Sequence, residues 1–267
     1  MKSAKILDGR AAADRLLQQL TKRVKQSRRR ITLATIVVGQ RYDSKLYVKL
    51  KVSAAKRVGI RTEQHRLPER TSQRTLETLI KRLNGKRSVN GILLQLPLPS
   101  HLSADHAVRT IDPRKDVDGF HPDTTGIDSP PVAAVLKLIA LAHPKPGSRV
   151  VVLGRRSVLS QTLQARLSSR ASSVDVVSAR HRIPPSTKTA DIIITILGRG
   201  PKLQPQHIKP GAIIIDVGIR HERRKTVGDV DPSVWTKAKA ISPVPGGVGP
   251  LTVAYVLYNT FILSRTN

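Results

Sequence analysis

Ser44, Tyr47 and Lys51 are spaced three, four and seven residues apart, so a helix would set all three on one face. A lysine beside an aromatic ring, half withdrawn from water, loses part of its preference for the charged form and can exchange protons near neutral pH. Spacing alone is met more plainly by an amphipathic helix carrying a snorkelling lysine. Gln95 closes the apolar run GILLQL ahead of LPLP. A polar amide at the end of a buried strand either caps it or faces a ligand crevice. In KDVDGFHP, Asp116 and Asp118 are followed by Gly119 and Pro122, which suggests a stiff loop holding a carboxyl in a cleft. The eight histidines are scattered, HExxH is absent and no other acids cluster nearby, so no metal site is expected.

Two further segments have phosphate or ligand chemistry in view. After RVVVL comes Gly154, Arg155, Arg156 and Ser157, a tight turn opening a helix whose first amides could face a phosphate. The full GxGxxG pattern is absent. The next strand, VDVV, ends in Ser178, Ala179, Arg180, His181 and Arg182, where basic side chains would suit a 2′-phosphate, whereas Asp175 inside the strand leaves a plain ribose open. ISPVPGGVGPLT, residues 241–252, packs three Gly and three Pro into a stiff loop that can approach a ligand closely and then starts a helix.

The elements that must position these groups alternate helix with strand. Residues 9–28 read as helix, Ile31–Val38 as a buried strand, Ser44–Val58 as helix, Thr62–Leu67 as a strand, 71–83 as helix, Gly91–Leu96 as a strand and 102–111 as helix. Asp116–Pro131, rich in Gly, Pro, Asp and Thr, reads as a junction. A second series follows: helix at 132–142, strand at 149–153, helix at 158–169, strands at 174–177, 191–197 and 212–217, and a last helix after Pro250. Near-continuous apolar strands alternating with helices predict parallel sheets covered on both faces, and the second series has the pattern of a doubly wound nucleotide-binding domain.

The chain has 267 residues, enough for one large domain or two small ones, and no cysteine, which excludes disulfides, thiolate metal sites and a thiol nucleophile. The formal charge is +29. Residues 1–120 carry +17 and the rest +12, so the excess is spread over the chain rather than gathered in a tail. With seven aromatic residues, a base-stacking platform is poorly supplied. An acid-poor surface that attracts anions in general is the plainer account. No run reaches membrane-spanning length and the first twenty residues lack a secretory h-region, so a cytoplasmic protein is expected.

Taken together, VGQRYDSKLYVKLKVSAAKRVGI, GILLQLPLP, IDPRKDVDGFHP, KPGAIIIDVGI, GDVD and SPVPGGVGPLT resemble the bifunctional methylenetetrahydrofolate dehydrogenase/cyclohydrolase family, in its order and spacing over nearly the whole chain. The resemblance implies an α/β protein with an N-terminal parallel catalytic domain, a C-terminal Rossmann-like domain and a cleft between them. The expected boundaries are 1–121, rejoined by helix 250–267, for folate, and 122–249 for the dinucleotide. NADP, rather than NAD, would oxidise 5,10-methylenetetrahydrofolate to the methenyl cation, and water would open that ring to 10-formyltetrahydrofolate. By position, Lys51 would be the acid/base, Gln95 its hydrogen-bond partner, Tyr47 the group packed on the folate and Asp118 the acceptor for pterin N–H groups. Ser44, Leu96, Pro97, Pro245, Gly246, Gly247, Gly249, Pro250 and Thr252 would line the folate. Gly154, Arg155, Arg156, Ser157, Arg180 and Ile219 would hold the cofactor. A homodimer is implied, with no metal. The chain departs from the family's dinucleotide turn, where Arg156, Ser160 and Thr162 replace Ser, Gly and Pro. A cyclohydrolase with weak or lost dehydrogenase activity, or a relative repurposed to bind nucleic acid, are the alternatives.

Overall fold

The computed structural model describes residues 4–40, 42–180, 182–200, 202–222 and 225–266, with the backbone alone for 42–47 and 222. The chain divides into two compact units, one of Met1–Ala12 with Pro131–Leu251, the other of Ala13–Pro130 with Thr252–Asn267. In chain order the first half comprises β1 (Lys5–Ile6), α1 (Gly9–Ser27), β2 (Thr32–Val38), α2 (Tyr42–Val58), β3 (Arg61–Leu67), α3 (Gln73–Gly85), β4 (Gly91–Leu94) and α4 (Ala104–Thr110). The second comprises α5 (Pro130–Leu141), β5 (Arg149–Gly154), α6 (Val158–Leu167), β6 (Ser173–Val177), β7 (Ile192–Ile196), β8 (Ile213–Asp216), β9 (Arg220–Glu222), β10 (Lys225–Val227), β11 (Ala240–Ile241) and α7 (Val248–Leu263). No described helix is long and apolar enough to cross a membrane.

In the unit holding Ala13–Pro130, β3, β2 and β4 form a parallel sheet with β2 in the middle. Alternate residues Ala34, Ile36 and Val38 of β2, with Ile92 and Leu94 of β4, bury against Leu76, Leu79, Ile80 and Leu83 of α3. Those α3 positions recur every three to four residues, which is why this helix has one apolar face. Its first turn is capped by Ser72, whose hydroxyl accepts from the Thr75 amide at 3.2 Å. Its last carbonyls are taken by the buried Lys115 amine, which donates to Asn84 O at 2.7 Å and Lys86 O at 3.0 Å. A cation there also meets the negative end of the helix dipole.

Lys115 anchors the loop that follows, because Ile92 N donates to its carbonyl at 2.7 Å and lays the 115–117 backbone beside β4. The loop is fixed at its other side by Asn259 of α7, which is 2% exposed and donates to Val117 O at 2.9 Å and Asp128 O at 3.0 Å. Asn259→Ala removes both donors from a buried setting. It is expected to lower unfolding stability by about 2 kcal/mol, as read by urea denaturation.

In the other unit six strands are parallel in the order β1-β11-β8-β7-β5-β6. One face buries Val151, Leu153, Ile193, Ile214 and Ile241, and the central strands are apolar on both faces, as the runs RVVVL, DIIITIL and AIIIDV predicted. β9 and β10 form a separate antiparallel hairpin. The start of the chain was expected in the N-terminal domain; instead Lys5 and Ile6 pair with Ala240 and Ile241, so these residues lie with the dinucleotide-type unit. The last helix begins at Val248, before Pro250 rather than after it. A proline in the first helical turn is tolerated because its missing N–H has no helical acceptor there.

Candidate active site

Helix α2 contributes Lys51, and its backbone confirms that residues 44, 47 and 51 share a helical face. The side chains of Ser44 and Tyr47 lie outside the described residues. Lys51 is 7% exposed, and its Nζ donates to Gln95 Oε1 at 3.0 Å. Gln95 sits one residue beyond β4, with its amide N bonded to Ile36 O at 2.9 Å. The Gln95 side-chain amide donates to the Leu96 carbonyl at 2.8 Å, which fixes the oxygen toward the lysine. The Leu96–Pro97 peptide that follows is cis.

Asp118 completes the group. Burial holds the Lys51 amine below the ordinary lysine range, and the attraction of Asp118 opposes that only in part. Burial pushes the Asp118 carboxyl up to about 6, against the attraction of Lys51, and Asp116 pushes it further the same way. Asp116 has a structural place. Its carboxylate accepts from Asp118 N at 3.1 Å, His121 N at 2.8 Å and the Thr124 hydroxyl at 3.0 Å. The two acids of KDVDGFHP are thus divided: one builds the loop, and the other is buried and acts on the lysine through its charge. No described group of three or more His, Asp or Glu could hold a metal ion.

The loop Pro245–Gly247, and Gly249 and Pro250 in the first turn of α7, belong to the other unit. Gly246 O accepts from Arg10 N at 3.1 Å and Gly247 N donates to Pro243 O at 2.7 Å. The loop lies so close to the start of α1 that a Cβ on Gly9 would stand 1.8 Å from Gly247 O, which is why no larger residue fits at position 9. Thr252 follows, within α7.

The turn expected to meet the dinucleotide runs from Gly154 through the exposed Arg155 and Arg156 to Ser157, the N-cap of α6. Ser160 is fully buried; its Oγ accepts from Ser157 N at 2.9 Å and donates to Arg155 O at 3.1 Å, while Ser157 Oγ accepts from Ser160 N at 3.3 Å. Beyond the ends of β6 and β7 lies a cavity of about 720 Å³ lined by Arg180, Arg182, Arg199, Lys202 and Arg220. Its volume is that of a small-molecule site. Five cations with no acid in the lining fit an anion, and Asp175, the acid that left a plain ribose open, is turned to Arg149 at 3.5 Å. Ile219, next to Arg220, stays open to solvent.

Arg199, Lys202 and Arg220 were not singled out from sequence, because they are scattered over three segments. Their signal was the position of Arg199 and Arg220 just beyond apolar strands. Arg199 donates to Arg180 O at 3.2 Å and Arg220 to Arg199 O at 3.1 Å, which strings the arginines together through their carbonyls. Behind them the buried Asp229 carboxylate accepts from the amides of Leu197, Gly198 and Arg199 and so shapes the wall. Asp216, beside it, is pushed up to about 7 by burial despite a 2.8 Å bond from Thr195.

The chain is similar over nearly its whole length to known proteins. The profile of the tetrahydrofolate dehydrogenase/cyclohydrolase catalytic domain matches residues 7–118, and that of its NAD(P)-binding domain matches residues 130–267. Bifunctional protein FolD 2 of Pseudomonas savastanoi pv. phaseolicola is 40% identical over 98% of this chain and 94% of its own length. The bifunctional FolD methylenetetrahydrofolate dehydrogenase/cyclohydrolase of Campylobacter jejuni superposes with a TM-score of 0.92 at 34% identity, covering 99% of each chain. The Trypanosoma brucei enzyme, solved with NADP and an inhibitor, superposes with a TM-score of 0.91 at 33% identity over 100% of this chain and 99% of that one. Two matching domain profiles and full-length relatives at this identity place the chain in the tetrahydrofolate dehydrogenase/cyclohydrolase family.

Proposed function

We propose that this chain oxidises 5,10-methylenetetrahydrofolate to the 5,10-methenyl cation with NADP and then opens that ring with water to 10-formyltetrahydrofolate. The observation that carries the reading is Lys51 Nζ, buried and 3.0 Å from Gln95 Oε1. Ring opening needs a group that takes a proton from the attacking water and returns it to the nitrogen leaving the ring. An amine whose charged form is disfavoured by burial can do both, and Gln95 fixes where it points. Asp118, ionised above about pH 6, would accept from the pterin N–H groups and hold the ring against Lys51. Oxidation asks the chain mainly for orientation. NADP, when bound, supplies the hydride acceptor. Arg180 and its neighbours would hold the cofactor's 2′-phosphate, and the turn at Gly154–Ser157 its pyrophosphate. The chain would act as a homodimer in the cytoplasm, a reading supported by the family resemblance.

The test is absorbance of NADPH formed from 5,10-methylenetetrahydrofolate, with NADP and NAD in parallel, beside loss of the methenyl chromophore without dinucleotide. Turnover in both assays, with NADP strongly preferred, is expected. No turnover in either, together with steeply salt-dependent binding of RNA, would overturn the reading.

The capped turn favours a weaker grip on the pyrophosphate than the basic cavity has on the 2′-phosphate. Ser160 already occupies the Ser157 amide, so a phosphate must displace a hydroxyl. Ser160→Gly is expected to tighten NADP binding a few-fold by calorimetry, while loss of the Ser160 hydroxyl's half of the capping box costs about 1 kcal/mol of stability and leaves the Ser157 cap in place.

A further inference from the structure

We propose that Asp229 is the positioning residue that sets the chain's preference for a dinucleotide carrying a 2′-phosphate, by holding Arg199 and Lys202 in the wall of the basic cavity. The inference rests on the assignment of that cavity to the 2′-phosphate. Asp229 is fully buried and does not itself line the cavity. Its carboxylate accepts from Leu197 N at 2.6 Å, Gly198 N at 3.2 Å and Arg199 N at 3.1 Å. Its carbonyl accepts from Lys202 N at 2.8 Å and Leu203 N at 3.0 Å. The segment beyond β7 is thus wrapped around one residue, and two of the amides so held belong to cations of the cavity.

Gly198, with a φ of 63°, helps turn consecutive N–H groups inward, the concave arrangement in which backbone commonly receives a bound anion. Here the anion is a side chain of the protein. A carboxylate with three amide donors is satisfied without a cation, so Asp229 consumes none of the arginines it places. Arg199 is the joint of the cationic wall: it donates to Arg180 O at 3.2 Å, and its own carbonyl accepts from Arg220 at 3.1 Å. Where the backbone of residue 199 lies therefore decides where three guanidinium groups point. A phosphate gains its charge-assisted bonds only from donors held about 2.7–2.9 Å from its oxygens. Asparagine offers one acceptor oxygen in place of two. Turned so that it keeps Leu197 and Gly198, it sets its own NH₂ against Arg199 N, donor against donor, and releases that residue first.

Calorimetry of adenosine 2′,5′-bisphosphate and of 5′-AMP against the full chain isolates the 2′-phosphate's share of binding without any folate chemistry. Asp229→Asn is expected to weaken the bisphosphate about tenfold, the loss of roughly one charge-assisted bond, and 5′-AMP less than about twofold. In the dehydrogenase assay it should raise KM for NADP by about the same factor, with kcat at saturating NADP changed less than about twofold. Asp191→Asn removes a carboxylate at the opposite end of β7, where it accepts from Arg149 N and Lys209, and should bind both nucleotides as the wild-type chain does. Gly198→Ala disturbs the same amides with the carboxylate intact: a Cβ has room, 3.6 Å from Ile219 O, but the backbone angle is strained for alanine. It should reproduce the selective loss. The double variant D229N/R199A should lose no more bisphosphate affinity than R199A alone, since one residue acts through the other. Equal weakening of both nucleotides in Asp229→Asn, additive losses in the double variant, or wild-type bisphosphate affinity in Asp229→Asn and Gly198→Ala would each overturn the proposal. A wild-type chain that binds the two nucleotides equally would overturn the assignment of the cavity and the proposal with it. Selective loss in a chain that turns over no folate would sustain the role of Asp229 and defeat the folate reading.

Discussion

Lys51→Gln is expected to reduce ring opening of the methenyl substrate by about 10²–10⁴-fold while the protein stays folded. Glutamine keeps a polar group within reach of Gln95 but can neither take nor deliver a proton. The dehydrogenase step, which asks for orientation, should fall much less, so the two activities separate in one variant. Stability gives an independent check. A lysine whose value is lowered by folding binds fewer protons folded than unfolded, so the wild-type chain gains stability as pH rises from the lowered value to the ordinary one. The variant loses that slope and, relieved of a buried amine, should melt no lower than wild type at neutral pH. Ring opening at the normal rate in a folded Lys51→Gln protein would remove Lys51 from the mechanism.

Asp118→Asn is expected to lower kcat/KM about 100-fold in both activities, chiefly through KM, because the lost group holds the substrate rather than moving its proton. In the wild-type chain both activities should decline as pH falls through about 6, where the carboxyl takes a proton and ceases to accept two N–H groups. The asparagine variant should lose that limb of the profile. Its stability shifts in a predictable sense. A carboxyl raised by burial is most comfortable protonated, so its contribution is best at low pH and is lost as pH rises through about 6. The neutral amide should therefore be at least as stable as wild type at pH 7. Without Asp118 the Lys51 amine also loses the attraction that favours its charge. A variant with unchanged KM for both folates would refute the assigned contact.

Much of this was legible in the residues, for physical reasons that differ by element. The runs ITLATIVV and RVVVL declared central parallel strands, since only burial on both faces tolerates unbroken apolar sequence. Lys51 and Gln95 could each be placed, one on a helix and one at a strand end, but their 3.0 Å bond is tertiary and spans 44 positions. β1 and β11 have two residues each, too short for any periodicity. The hairpin β9–β10 alternates nothing apolar in RHE. The basic cavity was half seen: Arg180 follows its strand in the expected place, whereas Arg199 and Arg220 are gathered by topology from the ends of other strands.

The pairing of Lys5 with Ala240 has a consequence for synthesis and dissection. The chain through Ile241 must be made before β1 can find its neighbour, so β1 joins its sheet late. A single cut at the Gly- and Pro-rich junction near residue 126 would sever the opening strand from its sheet and strand the closing helix on the wrong fragment. Producing either half as a self-sufficient protein calls for a rewired chain in which both termini travel with the pieces they complete.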